Sequence, residues 1–455
     1  RLGAGADAAE LATNIAVHLR DLTAALQAAQ LWIELAPNAS LPRQTAALLH
    51  LRNGQVDLAQ TQFEALLQIA QARGEDGYAR LGNLLAQVQN RKHALALMQA
   101  LSAPAADAPE ARRALAVVQL AADEHAAAEA GLRQVLAERP GWSDAWVLLA
   151  RALVLQGRQD DAIAALAGAV ERFPQDRLLR STHARLLIDA ERYGDAAGEF
   201  RAVLELAPDD PDVLYALGML AIQAQDWAEA QSAWQALRST GERYDEASYF
   251  LAQVEEQLGN PKVAIGLYRA VSEGEIRPDA RLRLASLLAD RGELPAARAV
   301  LAELRILHPE RAVDTYLTEL VLLQEAQARE AALALYEHAL GAYPDNEALL
   351  YQRALYAADL GRMDWLERDL ARILENNPEH ADALNALGYT LAERNERLPE
   401  ALALIERAYQ LKPDSAAVLD SMGWVHYRLG NMAEALDYVR RAFATDPDPE
   451  IAAHL

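Results

Sequence analysis

Apolar, small and polar positions recur along most of this chain with a period of 34 residues. In the stretch SDAWVLLARALVLQGRQDDAIAALAGAVERFP, which begins at Ser143, Trp146, Leu149 and Ala150 fall at positions 4, 7 and 8. Gly157 follows at 15, Ala162 at 20, Ala169 at 27 and Pro174 at 32. The stretch beginning at Ala416 puts Leu419, Met422, Gly423, Gly430, Ala435, Ala442 and Pro447 in the same places. Residues three and four apart share a helix face, so positions 4, 7 and 8 predict the buried stripe of a first helix, A. Positions 20 and 27 lie on a second helix, B, and the small residues at 8, 20 and 27 let the two approach closely. Gly at 15 (Gly54, Gly157, Gly259, Gly292, Gly361, Gly430) suits a left-handed turn after helix A. Pro at 32 ends helix B, since it lacks an N–H and disfavours helix in the residue before it. The acids after that proline (Asp209, Glu310, Asp345, Glu379, Asp414) are expected to cap the next helix.

The prolines keep the beat. Pro140, Pro174 and Pro208 lie 34 and 34 apart, and Pro309, Pro344, Pro378, Pro413 and Pro447 follow at 35, 34, 35 and 34. Units then begin near Ala6, Ser40, Glu75, Pro109, Ser143, Arg177, Pro211, Asp245, Pro278, Val313, Glu347, Ala381 and Ala416, which is thirteen helix pairs. This pattern resembles the tetratricopeptide repeat (TPR), a helix–turn–helix of 34 residues. The resemblance implies an all-α fold, a right-handed superhelical solenoid of about thirteen units. Residues 1–108 match the pattern poorly and are expected as degenerate repeat-like helices. Residues 109–455 are expected as a regular array, one continuous solenoid in which each unit packs on its neighbours. Ser102–Pro109, Ser239–Tyr244 and Ser272–Pro278 break the rule and predict longer loops or changes in curvature.

The net charge of −23 argues against nucleic acid and anionic lipid as partners, and it allows a basic protein. With no cysteine, disulfides, zinc–thiolate sites and cysteine catalysis are excluded within this sequence. No HExxH, phosphate loop or GxSxG elbow occurs. His183 and His426 fall on A helices, where packing explains them. The expectation is a non-enzyme with no catalytic residues, no metal site and no cofactor. The start at Arg1 suggests a trimmed product.

In TPR proteins, positions 2, 5, 9 and 12 or 13 of helix A face the binding groove. Carried over, that resemblance places Tyr215, Tyr249, Tyr351 and Asn385 at position 5. Arg151, Arg185, Met219, Gln253, Tyr389 and Trp424 fall at position 9, and Tyr427 at position 12. Tyr, Trp, Met and Arg are enriched at interface centres. Packing between adjacent A helices is the alternative role for the aromatic rings. The Lys and Asn pair with which some TPR proteins clamp an acidic tail is missing.

A more specific likeness lies at Ala383–Phe443, with the extra residue in Asn395-Glu396-Arg397-Leu398-Pro399 and the Asp420-Ser421-Met422-Gly423-Trp424 run. This segment looks like the tail of proteobacterial TPR lipoproteins. The chain as a whole resembles the outer-membrane members that serve as adaptors of periplasmic carboxyl-terminal processing proteases. The resemblance implies a scaffold that binds such a protease and its substrates, the cell-wall hydrolases, and promotes their proteolysis. It also implies a periplasmic location, with anchoring to the outer membrane through a lipid outside this sequence. A periplasmic scaffold for exopolysaccharide or envelope-polymer secretion is the alternative. Homo-oligomers through a solenoid end fit the pattern too. Asp446-Pro447-Asp448-Pro449-Glu450 predicts one more helix anchored by Ile451, with a polar helix or a partner covering that end.

Overall fold

A computed structural model describes residues 2–455, with side chains from residue 5 onward; Arg1 lies outside the described residues. The chain is all-α, with no strand among the described residues. It divides into two compact lobes, up to Glu242 and from Arg243, and the division falls inside the irregular stretch Ser239–Tyr244.

The N-terminal lobe holds seven helix pairs: α1 Leu2–His18 with α2 Leu22–Leu35, α3 Ser40–Arg52 with α4 Val56–Arg73, α5 Gly77–Ala86 with α6 Arg91–Ser102, α7 Pro109–Ala121 with α8 His125–Glu138, α9 Ser143–Leu155 with α10 Gln159–Arg172, α11 Arg177–Asp189 with α12 Tyr193–Leu206, and α13 Pro211–Gln223 with α14 Trp227–Thr240. The C-terminal lobe holds six: α15 Tyr244–Gln257 with α16 Pro261–Ala270, α17 Arg277–Asp290 with α18 Leu294–Leu307, α19 Ala312–Glu325 with α20 Arg329–Ala342, α21 Glu347–Asp359 with α22 Met363–Asn376, α23 Ala381–Glu393 with α24 Leu398–Leu411, and α25 Ala416–Leu429 with α26 Met432–Thr445. A short helix, α27 Pro449–His454, closes the lobe, with Ile451 buried against Leu419, Val439 and Ala442. The first pair begins at Leu2, four residues before its expected start near Ala6, and the other twelve begin within two residues of theirs. Within each lobe, helix A packs on its own helix B and helix B on the next helix A; A helices also meet directly at α5–α7–α9–α11, α17–α19–α21 and α23–α25. In the C-terminal lobe a single buried cluster runs from Tyr316 through Tyr336, Leu350, Leu370 and Leu391 to Val425.

The proline at position 32 acts as the sequence predicts. Helix B ends two residues before it each time, at Glu138, Arg172, Leu206, Leu307, Ala342, Asn376, Leu411 and Thr445. The expected glycines adopt positive φ, from 68° at Gly361 to 84° at Gly430. Other residues at the same position do so as well: Arg20, Asp123, Glu191, Gln225, Gln327 and Asn395 have φ between 55° and 63°. The left-handed turn is therefore imposed by the helix pair, and side chains tolerate it where glycine is missing. The extra residue before α24 is absorbed by a second left-handed residue, Arg397.

One expectation needs correction. The acid directly after the proline does not cap the next helix. After three of these prolines the following residue does: Asp210 accepts from the Val213 N–H, Asn346 from Leu349 and His380 from Ala383, while after Asp414 the N-cap Ser415 makes no side-chain cap. The chain needs one more residue to turn before helical geometry begins, so Asp209, Asp345 and Glu379 sit one position too early. Glu310 instead lies in a 3-10 turn, Pro309–Arg311.

The closest approaches come at position 8. A Cβ built on Gly423 would lie 2.3 Å from Val439 Cγ2, and one on Gly388 2.5 Å from Ile405 Cγ1. The alanines at position 20 that they face, Ala401 and Ala435, are buried. Two buried carboxylates are matched by arginines. Asp369 is held by a two-pronged Arg353 pair at 2.7 Å and 2.7 Å, and Glu319 by Arg298 at 2.7 Å and Arg305 at 2.5 Å. His183 is buried and contacts Glu199 at 3.2 Å, in keeping with a packing role.

Three outcomes are expected in thermal melts. Gly423→Ala overpacks the α25–α26 contact and costs about 1–3 kcal/mol. Gln225→Gly relieves a left-handed side chain, which stabilises the fold by about 1 kcal/mol and raises the melting temperature. Arg353→Met leaves the buried Asp369 carboxylate with only the longer 3.5 Å contact to Arg368 and costs about 3 kcal/mol.

Candidate protein-binding surface

The side chains singled out by register lie on A helices of both lobes. In the N-terminal lobe, Arg151 and Arg185 are exposed, and neither makes an ion pair among the described residues. Met219 is 38% exposed, while Tyr215 packs edge-on against Trp234 of its own helix B with centroids 5.2 Å apart.

In the C-terminal lobe the aromatic rings are half inside and half outside. Tyr249 meets Tyr268 of its own helix B at 5.8 Å and is hydrogen-bonded by Gln253. It lines a pocket of about 330 Å³ with Asp279, Leu282, Arg283, Ser286 and Thr318, which come from α17 and α19. Burial, and next the Asp279 charge, push its phenol pKa up. Tyr351 stacks on His380, the cap of the following repeat, at 6.0 Å. Tyr389 is pushed up to about 12, first by burial and then by the charges of Glu393, Glu450 and Asp420.

Trp424 lies between Tyr427 at 5.3 Å and His454 of α27 at 4.5 Å, with both contacts stacked. His454 Nδ1 in turn meets both carboxylate oxygens of Asp420 at 2.9 Å. Tyr427 is 50% exposed. Asn385 Oδ1 and Trp424 Nε1 are buried without a hydrogen-bond partner. The adjacent helices α23 and α25 thus bring Asn385, Tyr389, Trp424 and Tyr427 onto neighbouring surfaces.

Two further position-9 residues, Val321 and Leu355, are 43% and 40% exposed and continue the row between Ser286 and Tyr389. Register alone would have found them; a search restricted to aromatic, Met and Arg side chains passed them over. A cavity of about 710 Å³ in the N-terminal lobe, lined by Val17, Leu48, Leu51, Leu84 and Val88, carried no such signal. It opens where α5 is only 10 residues long and Gly82 draws it against Ala114 of α7.

The surface is suited to binding by area and hydrogen bonding. Among the described residues no group of His, Cys, Asp or Glu could hold a metal ion. No helix of the described residues is long and apolar enough to cross a membrane.

Residues 87–247 match the TPR domain of cytochrome c-type biogenesis protein H, and residues 367–416 and 392–455 each match a tetratricopeptide-repeat family. The chain is 37% identical over 211 residues to the TPR repeat-containing protein PA4667 of Pseudomonas aeruginosa, which covers 46% of this chain and 36% of that one. It is 25% identical over 289 residues to the cellulose synthase operon protein C of Pseudomonas fluorescens, covering 58% and 22%. In each case the match spans well under half of the relative's own length. Among solved structures, similar chains include YrrB, described as a TPR protein with an unusual peptide-binding site (25% identity, TM-score 0.34, 42% of this chain and 97% of that one). Another is the C-terminal part of a TPR repeat-containing protein from Cytophaga hutchinsonii (17% identity, TM-score 0.43, 52% and 98%). A helix-pair register that runs from α1 to α26, met by repeat families at two separate stretches, makes this chain a tetratricopeptide-repeat protein.

Proposed function

We propose that the chain is a non-catalytic adaptor that holds a periplasmic carboxyl-terminal processing protease together with its cell-wall hydrolase substrates and promotes their cleavage. The observation that carries the scaffold reading is the row of half-exposed position-5 and position-9 side chains on successive A helices, from Tyr351 to Trp424. Large rings with one polar edge bind by area and keep a hydrogen-bonding group. The protease-adaptor assignment draws support from the lipoprotein-like segment Ala383–Phe443 and from the 37% identity to a Pseudomonas TPR protein.

The mechanism is tethering. A scaffold that engages enzyme and substrate together raises the effective concentration of one near the other, commonly into the millimolar range for a short tether. If it binds the active protease conformation more tightly, it also shifts that equilibrium. The adaptor would work in the periplasm, attached to the outer membrane by a lipid carried elsewhere in the full protein. The similarity to the cellulose synthase operon protein favours a second reading, a scaffold for envelope-polymer secretion.

Reconstitution separates these. With the protease and a cell-wall hydrolase purified from the same envelope, adding the chain speeds loss of the hydrolase. An unchanged rate, with capture of polymer-synthase components instead, selects the second reading. The combined substitutions Val321→Ser, Leu355→Ser and Tyr427→Ser, all on exposed side chains, abolish the stimulation while the melting temperature stays within a few degrees.

A further inference from the structure

The A helices of the C-terminal lobe carry a feature that opposes their own stability. Asp290, Glu325, Asp359 and Glu393 are the last residues of α17, α19, α21 and α23, four A helices in succession. An acid at a helix C-terminus faces the negative end of the helix dipole, where a cation is preferred. All four are exposed, and none makes an ion pair among the described residues. They stand at the end of their repeats' A helices, one turn beyond the position-9 row: Ser286, Val321, Leu355 and Tyr389 precede them by four residues. Residues four apart lie on the same helix face. Each of these A helices therefore presents a position-9 side chain and, one turn on, an unpaired carboxylate.

We propose that this face takes an extended cationic segment of a partner protein, in which an apolar residue and a Lys or Arg recur every third position. The inference rests on the reading of the A-helix face as the partner surface, and it names the partner's chemistry. The half-exposed Val321 and Leu355 are apolar surface awaiting a cover, and the acids beside them set the sign of the charge that comes with it. Spacing argues for an extended chain. α17 packs on α19 and α19 on α21; packed helices lie about 8–10 Å apart, which sets the interval from one of these A helices to the next. In a polyproline-type segment the same face returns every third residue, at roughly 9 Å. The segment thus meets one A helix per three residues, the side chain reaching the apolar row and the cation the acidic one. Charge complementarity of this kind contributes mostly on-rate and selectivity, and it weakens with salt.

The test uses the full chain and two labelled synthetic peptides, one a repeated Lys-Pro-Leu and the other a repeated Glu-Pro-Leu. The ladder variant carries Asp290→Asn, Glu325→Gln, Asp359→Asn and Glu393→Gln. A control variant carries the same change in charge on B helices, with Glu337→Gln, Asp364→Asn, Glu375→Gln and Glu406→Gln. The lysine peptide binds the unaltered chain, and the ladder variant weakens it by about tenfold or more, while the control loses about twofold or less. The glutamate peptide does not bind. The ladder variant melts no lower than the parent, because its dipole conflict is gone, so lost binding cannot be assigned to unfolding. Equal weakening in both variants would show only the general field of an acidic protein and overturn the inference, as would binding of both peptides alike. If the ladder variant keeps full stimulation of proteolysis while the Val321, Leu355 and Tyr427 variant loses it, the face stands as the partner site and the cationic segment falls. If both variants keep it, the face itself is not the site.

Discussion

The close approach of helix A to helix B is the contact on which everything else here depends. Side chains at positions 8, 20 and 27 stand where two helix axes are nearest. In the last two repeats the space left is below one methyl group: Gly388 and Gly423 have Ile405 and Val439 where a Cβ would go. In the repeat from Pro211 the approach is just as close: a Cβ on Gly218 would lie 2.6 Å from the indole of Trp234. Once the pair closes, the turn between A and B has little choice but to pass through the left-handed region. Non-glycine residues such as Glu191 and Gln225 are found there for that reason.

This contact is local in sequence, and that explains why so much of the fold could be read from the residues. Partners at positions 8 and 20 are separated by a single turn, so small residues, glycine and proline state the geometry directly. Thirteen pairs, the starts of all but the first, and the ends of the B helices that precede a position-32 proline were legible from those residues alone. The degenerate repeats were harder because different residues solve the same problem. In the third repeat α5 runs only from Gly77 to Ala86 and leans on α7 through Gly82, leaving a cavity against α3. Nothing in the 34-residue register announces a helix that stops early. The capping residue was misplaced by one position for a related reason: the register gives the proline, while the cap depends on how many residues the following turn consumes.

The candidate surface was legible in a different and weaker sense. Register states which side chains share a face; it does not state how deep they lie. Tyr215 and Tyr249 reach back to aromatic partners on their own B helices, so part of their area is core. Val321 and Leu355 read as ordinary apolar repeat residues and stand exposed. Distinguishing the two cases needs the rotation and crossing of each helix, which depend on neighbours across the stack.

The division of labour between positions has an energetic consequence. Stability in a stack of repeats is a sum of terms within each pair and between neighbours. Those terms draw on positions 4, 7, 8, 20 and 27, which are almost all buried. Positions 9 and 13 contribute little to them, so they are free to hold residues that a stability argument would reject. The acids that end α17, α19, α21 and α23 are of that kind: each costs its own helix about 0.3–1 kcal/mol at low salt. A single such acid has no significance in a chain with net charge −23. Four in succession, each one turn from the position-9 row, mean that this side of the lobe carries a destabilising charge that packing neither requires nor offsets. The natural source of an offset is a positive charge supplied from outside the lobe.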